Sequence, residues 1–173
     1  PYHEFVDAFA EQSYALAAGG VDFLLIETMS DLGEVKAAIE GARSTGLGVV
    51  ATMSFCTNKR TMMGITPANA ARSMVEYGAH AVGANCGNGP DEMTDILQDM
   101  CGTMPDTVIL GQSNAGIPEI RGGQVVYDCS PDDMVGYARQ WAAYGVKAIG
   151  GCCGSTPQTI EAIGQMLKAF QTT

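Results

Sequence analysis

Three cysteines stand where their sulfurs could act together. Cys86 lies in the segment GANCGNGP, and Cys152 and Cys153 lie in GGCCGSTP. Each segment follows an apolar, β-prone run and precedes a helical pattern. In parallel α/β folds that is the carboxyl end of a strand, where ligands bind. Three soft thiolates converging there suit zinc, at Zn–S distances of about 2.3 Å. Adjacent cysteines are poorly disposed to bond to each other, but a glycine-rich turn lets both reach one ion. Three protein ligands leave a fourth position open, which marks a catalytic zinc rather than a closed structural one. A thiol entering that position would bind as thiolate and be held as a nucleophile at neutral pH.

Other readings compete. A lone cysteine plus a distant Cys-Cys pair is a weaker zinc signal than paired C-x-x-C motifs. Free cysteine is often a small buried hydrophobe, the expectation for Cys56, Cys101 and Cys129. A third reading makes GGCCGSTP a phosphate cradle at a helix N-terminus; with no lysine or arginine in either segment it ranks last. His3 and His80 are too few and too poorly placed for a nucleophile–base pair.

The elements that must position these sulfurs are written in the pattern around them. Apolar runs without strict alternation occur near 22–27, 48–54, 80–85, 107–110 and 146–150, as expected of strands covered on both faces. Helical patterns fall at about 3–18, 31–45, 66–78, 90–101, 131–144 and 157–170. Thr66-Pro67, Gly89-Pro90, Ser130-Pro131 and Thr156-Pro157 each set a capping-compatible residue before proline at the first helical position. Asp31 with Glu34 has the spacing of a capping box. A helix followed by five βα units fits an open doubly wound sheet or part of a (β/α)₈ barrel. No G-x-G-x-x-G follows the first strand, so a dinucleotide fold loses its main support. At 173 residues the chain is too short for a whole barrel of about 200–250. The long connection from Gly111 to Cys129 is where a lid or ligand is expected.

Composition bounds the partners. Hydrophobic residues make up 46% and charged ones 16%, with 22 glycines, which suits one compact domain with a substantial core. A formal charge of −10 repels phosphate backbones and anionic membranes, so neither nucleic acid nor a membrane is expected as partner. No run reaches the roughly 18–20 apolar residues of a membrane span. The N-terminal stretch carries acids where a secretory signal carries bases, so the expectation is a cytoplasmic protein with reduced cysteines.

GANCGNGP and GGCCGSTP together resemble the zinc motifs of the homocysteine S-methyltransferase family, and FLLIETMSD at 23–31 and QSNAGIP at 112–118 agree with it in the right order. The resemblance runs nearly the full chain. It implies a partial (β/α)₈ barrel of about five parallel strands and six helices in which a zinc-bound homocysteine thiolate attacks an activated methyl group, giving methionine. Cys86, Cys152 and Cys153 would hold the zinc. Glu27 would receive the homocysteine amino group, unless it merely caps the next helix. Asn114 would lie close to the metal, filling its fourth position when substrate is absent, unless it is a turn asparagine. The NC-x-x-GP, ETMSD and NAGIP segments look most like the barrel of cobalamin-dependent methionine synthase, which implies a methylcobalamin donor on a partner domain or corrinoid protein. Betaine or S-methylmethionine is the alternative donor.

The family's barrel has three more βα units before IETMSD. Residues 1–173 then read as a single domain, the C-terminal part of that barrel, with two strand edges left open. A complementary N-terminal half-barrel chain or a second copy would be its partner. The rival to an enzyme is a non-catalytic zinc-binding half-barrel that assembles with a complementary chain.

Overall fold

A computed structural model describes residues 1–56 and 58–170. The chain opens with α1 (Tyr2–Ala18) and then alternates β1 (Phe23–Met29), α2 (Leu32–Arg43), β2 (Gly48–Met53), α3 (Pro67–Glu76), β3 (Ala81–Cys86), α4 (Pro90–Thr103) and β4 (Val108–Ser113). A short hairpin, β5 (Glu119–Arg121) and β6 (Gln124–Val126), precedes α5 (Pro131–Tyr144), β7 (Ala148–Gly151) and α6 (Pro157–Phe170). Thr57 and residues 171–173, within the expected domain, lie outside the described residues.

The main sheet has the order β1-β2-β3-β4-β7, all parallel, each strand beside its neighbour in sequence. Right-handed crossovers between successive neighbours put α2, α3, α4 and α5 on the same side, and α1 packs on α2 and α6 on α5. Burial agrees. Leu24, Val49, Ala51, Met53, Val82, Ala84 and Ile109 join the helix-covered core, whereas Phe23 (55%), Leu25 (39%) and Val108 (45%) on the opposite parity are exposed. Among the described residues the sheet is covered on one face and free at both edges, an arc of a barrel, so the fold there is a partial (β/α)₈ barrel of five parallel strands and six helices. The strands are therefore not all covered twice, as their apolar runs suggested; the inner face is open.

Local chemistry sets the boundaries. Thr66, Ser130 and Thr156 accept the backbone N–H of Asn69, Asp133 and Thr159 at 3.2–3.3 Å. Ser130 completes a true capping box, with Asp133 returning to its N–H at 3.0 Å. Asp31 caps α2 by accepting Glu34 N–H at 2.9 Å. Trp141, a fully buried residue of α5, donates its indole N–H to Thr94 Oγ1 of α4 at 2.8 Å.

Two expectations are corrected. The connection from Gly111 to Cys129 is not one loop: β4 runs on to Ser113, and β5–β6 fold over residues 119–126. Gly111-Gln112-Ser113 lacks an apolar signal and is held as strand by pairing to Ala84, Asn85 and Cys86 on one side and to Ile149, Gly150 and Gly151 on the other. Cys56 is exposed rather than buried, while Cys101 and Cys129 are half-buried and pack against the core.

Candidate metal centre

The carboxyl ends of β3, β4 and β7 lie side by side, and the chain leaves each through a different device. β3 ends at Cys86 in the left-handed region, φ +60°, an uncommon conformation for a residue with a side chain. β7 ends at Gly151, and Cys152 continues the ladder by donating its N–H to Ser113 O at 2.8 Å. Between them Ala115 N–H donates to Cys153 O at 2.9 Å.

This brings the three predicted sulfurs together. Cys86 Sγ lies 2.8 Å from Cys152 Sγ and 3.9 Å from Cys153 Sγ, and all three are within 4.8 Å of one another. Among the described residues no other group of three His, Cys, Asp or Glu side chains meets in this way. Cys86 and Cys152 are half-buried and Cys153 is exposed, so the cluster opens to solvent on one side. Burial, then the neighbouring Cys152 and Cys153 sulfurs, push the Cys86 thiol up to about 12.

The donor set fits a soft divalent cation. Tetrahedral zinc with sulfurs at about 2.3 Å sets them about 3.8 Å apart. The Cys86–Cys153 separation of 3.9 Å already matches. The 2.8 Å separation of Cys86 and Cys152 lies between that spacing and the roughly 2.05 Å of a disulfide. Around one ion these two sulfurs would move apart by about 1 Å.

Two asparagines brace the cluster. Asn114, at the tip after β4, donates Nδ2–H to Gly87 O at 2.8 Å and accepts Cys153 N–H on Oδ1 at 3.0 Å. It thus ties the two cysteine loops to each other. Asn85, 1% exposed, was missed in the sequence. Its Oδ1 accepts Thr28 N–H at 2.8 Å and Thr52 Oγ1–H at 2.6 Å; its Nδ2 donates to Thr28 Oγ1 at 2.7 Å and faces Cys152 Sγ at 3.8 Å. Thr28 has φ +63° inside a register break of β1, strained for a β-branched residue, and Asn85 holds it there. The only trace in sequence was a polar residue ending the run AVGAN.

Glu27 stands exposed on β1 and lines a cavity of about 320 Å³ with Phe9, Gln12 and Leu25. It does not cap α2; Asp31 does. It makes no hydrogen bond or ion pair among the described residues, and nothing places it against the sulfurs.

Residues 1–167 match the family model described as homocysteine S-methyltransferase. The chain is 30% identical over 166 residues to methionine synthase of Mycobacterium tuberculosis and 29% identical over 171 residues to that of Mycobacterium leprae. Those stretches cover 91% and 94% of this chain but 14% of each relative. The homocysteine methyltransferase MmuM of Escherichia coli superposes with a TM-score of 0.73 in its metallated form and 0.72 in its apo form, at 23% identity. This chain spans 51% and 57% of those structures and is itself covered to 92% and 93%. None of the described helices is long and apolar enough to cross a membrane.

Proposed function

The chain belongs to the homocysteine S-methyltransferase family, and we propose that it contributes the zinc site of an enzyme that methylates homocysteine to methionine. The observation that carries the reading is the meeting of Cys86, Cys152 and Cys153 sulfurs at the carboxyl ends of two strands. These three residues would hold zinc, which when bound supplies the Lewis acidity that keeps a thiol ionised at neutral pH. The protein's own groups do the rest. Asn114 and Asn85 fix the two cysteine arms so that the site is formed before substrate arrives. Glu27 would meet the substrate's ammonium. In the transfer the homocysteine sulfur forms a bond to the methyl carbon, the bond from that carbon to the donor breaks, and its electron pair leaves with the donor. The thiol proton is released to solvent.

The NC-x-x-GP, ETMSD and NAGIP segments, which resemble the barrel of cobalamin-dependent methionine synthase, favour a methylcorrinoid on another domain or protein as donor, over S-methylmethionine or betaine. Supplying the three donors separately to the zinc-loaded protein with homocysteine distinguishes them. Methionine is expected with the corrinoid donor, and its formation should stop on removal of zinc. Full turnover without zinc would overturn the reading.

A second reading rests on the open inner face, where Phe23, Leu25 and Val108 are exposed, and on the free edges of β1 and β7. In it this arc assembles with complementary strands, from a separate N-terminal half-barrel or a second copy, and the metal serves folding alone. Mixing with a candidate N-terminal half decides between them: methylation in the mixture supports the enzyme, and assembly without turnover supports the structural role.

A further inference from the structure

Two buried side-chain oxygens have no partner among the described residues, Gln112 Oε1 and Ser155 Oγ. Both lie against the end of β7. A Cβ placed on Gly150 would stand 3.3 Å from Gln112 Cγ and 3.6 Å from its Nε2, and one on Gly151 would overlap the Ser155 side chain. The two are on opposite sides of the sheet. The Gly151 position also faces Ile160 of α6 at 3.5 Å, so Ser155 is on the helix side.

Gln112 is on the other. Ile109 belongs to the helix-covered core and Gly111 faces Leu97 of α4, so by strand alternation Gln112 turns to the open inner face. It pairs in register with Asn85, one residue before Cys86, and with Gly150, two residues before Cys152. Its amide therefore lies at the foot of both cysteine arms, spread over a glycine whose missing side chain makes the room. A buried acceptor left without a donor has lost its water and gained nothing in return. The donor it lacks is one a ligand can bring. An amino acid held by its sulfur at the cluster has one strong donor left, its ammonium, because its carboxylate only accepts.

We propose that Gln112 is a positioning residue whose Oε1 accepts a hydrogen bond from the α-ammonium of an amino-acid thiol held at the Cys86–Cys152–Cys153 cluster. The inference rests on the proposed homocysteine reading and deepens it. It adds a neutral acceptor on β4 to the charge on β1, and it makes the site select thiols that carry an amine.

The test uses the full-length zinc-loaded protein and calorimetric titration with two thiols, homocysteine and 4-sulfanylbutanoate, which lacks the amine. Gln112→Met keeps the side-chain length and removes the acceptor; Gln112→Glu keeps the acceptor. The methionine variant should bind homocysteine about 10- to 100-fold more weakly. It should hold 4-sulfanylbutanoate within about twofold of the parent and retain its zinc. The glutamate variant should bind homocysteine as the parent does. Equal weakening of both thiols, or no change for homocysteine, would overturn the assignment of Gln112 and leave the zinc reading standing. A parent protein that holds zinc but binds neither thiol would overturn the homocysteine reading and this inference with it.

Discussion

Asn114 accepts the backbone N–H of Cys153 at 3.0 Å while its own N–H donates to Gly87 O at 2.8 Å, so one side chain locks the loop after β3 to the loop after β7. The sulfurs of Cys86 and Cys153 are carried by those two loops, and their spacing depends on this amide.

Asn114→Ala should therefore loosen the metal without unfolding the protein. Outer groups of this kind typically govern about 10–100-fold in metal affinity. Competition with a chelator should show a loss in that range, and Asn114→Asp, which keeps the acceptor for Cys153, should lose less. Unchanged affinity in Asn114→Ala would mean that the loops hold their spacing unaided.

Asn85→Leu removes three hydrogen bonds at once, strands the Thr52 hydroxyl in a buried setting and leaves the part-buried Thr28 N–H without its acceptor. The expected loss is about 2–4 kcal/mol, seen as a fall in Tm of about 5–15 °C. Thermal unfolding of the metal-free protein checks it without contribution from the site's ligand.

Gly83 and Gly102 make a controlled pair. A Cβ on Gly83 would overlap the Leu110 carbonyl, whose carbon would be 2.7 Å away, whereas one on Gly102 in α4 meets nothing within 4 Å. Gly83→Ala must push β3 from β4 and should cost more than about 3 kcal/mol. Gly102→Ala should be neutral or stabilise by up to about 1 kcal/mol, because alanine is the better helix former. Denaturant midpoints of the two variants decide it.

Tyr137 on α5 donates its hydroxyl to Asp91 Oδ1 on α4 at 2.6 Å. That carboxylate, then burial, raise the phenol from its ordinary value of 10.0 to about 12. The protonated phenol is thus favoured in the folded state. Its contribution is whole below pH 10.0 and is lost as pH rises toward about 12. Tyr137→Phe should lower Tm by a few degrees, about 1 kcal/mol, at pH 7. The gap between parent and variant should shrink across the alkaline window.

Most of the frame was legible because local signals agreed: prolines at helix starts set α3, α4, α5 and α6, and short apolar runs set the strands. The meeting of Cys86 with Cys152 and Cys153 followed from placing both motifs at carboxyl ends of strands. What stayed hidden was tertiary. Gln112 and Ser113 carry no strand signal of their own and are strand only because neighbours on both sides pair with them. Asn85 looks like any polar strand end until Thr28 and Thr52 are brought to it from elements 57 and 33 residues away. The β5–β6 hairpin is three residues a strand, too short for periodicity to register.

Zinc K-edge absorption on protein loaded with one equivalent of zinc, before and after homocysteine, tests the central claim most directly. The account predicts three sulfur neighbours at about 2.3 Å, rising to four when homocysteine is added, with one of the three lost in Cys152→Ser. Two or fewer sulfurs in the parent protein, or a count that homocysteine does not change, would contradict it.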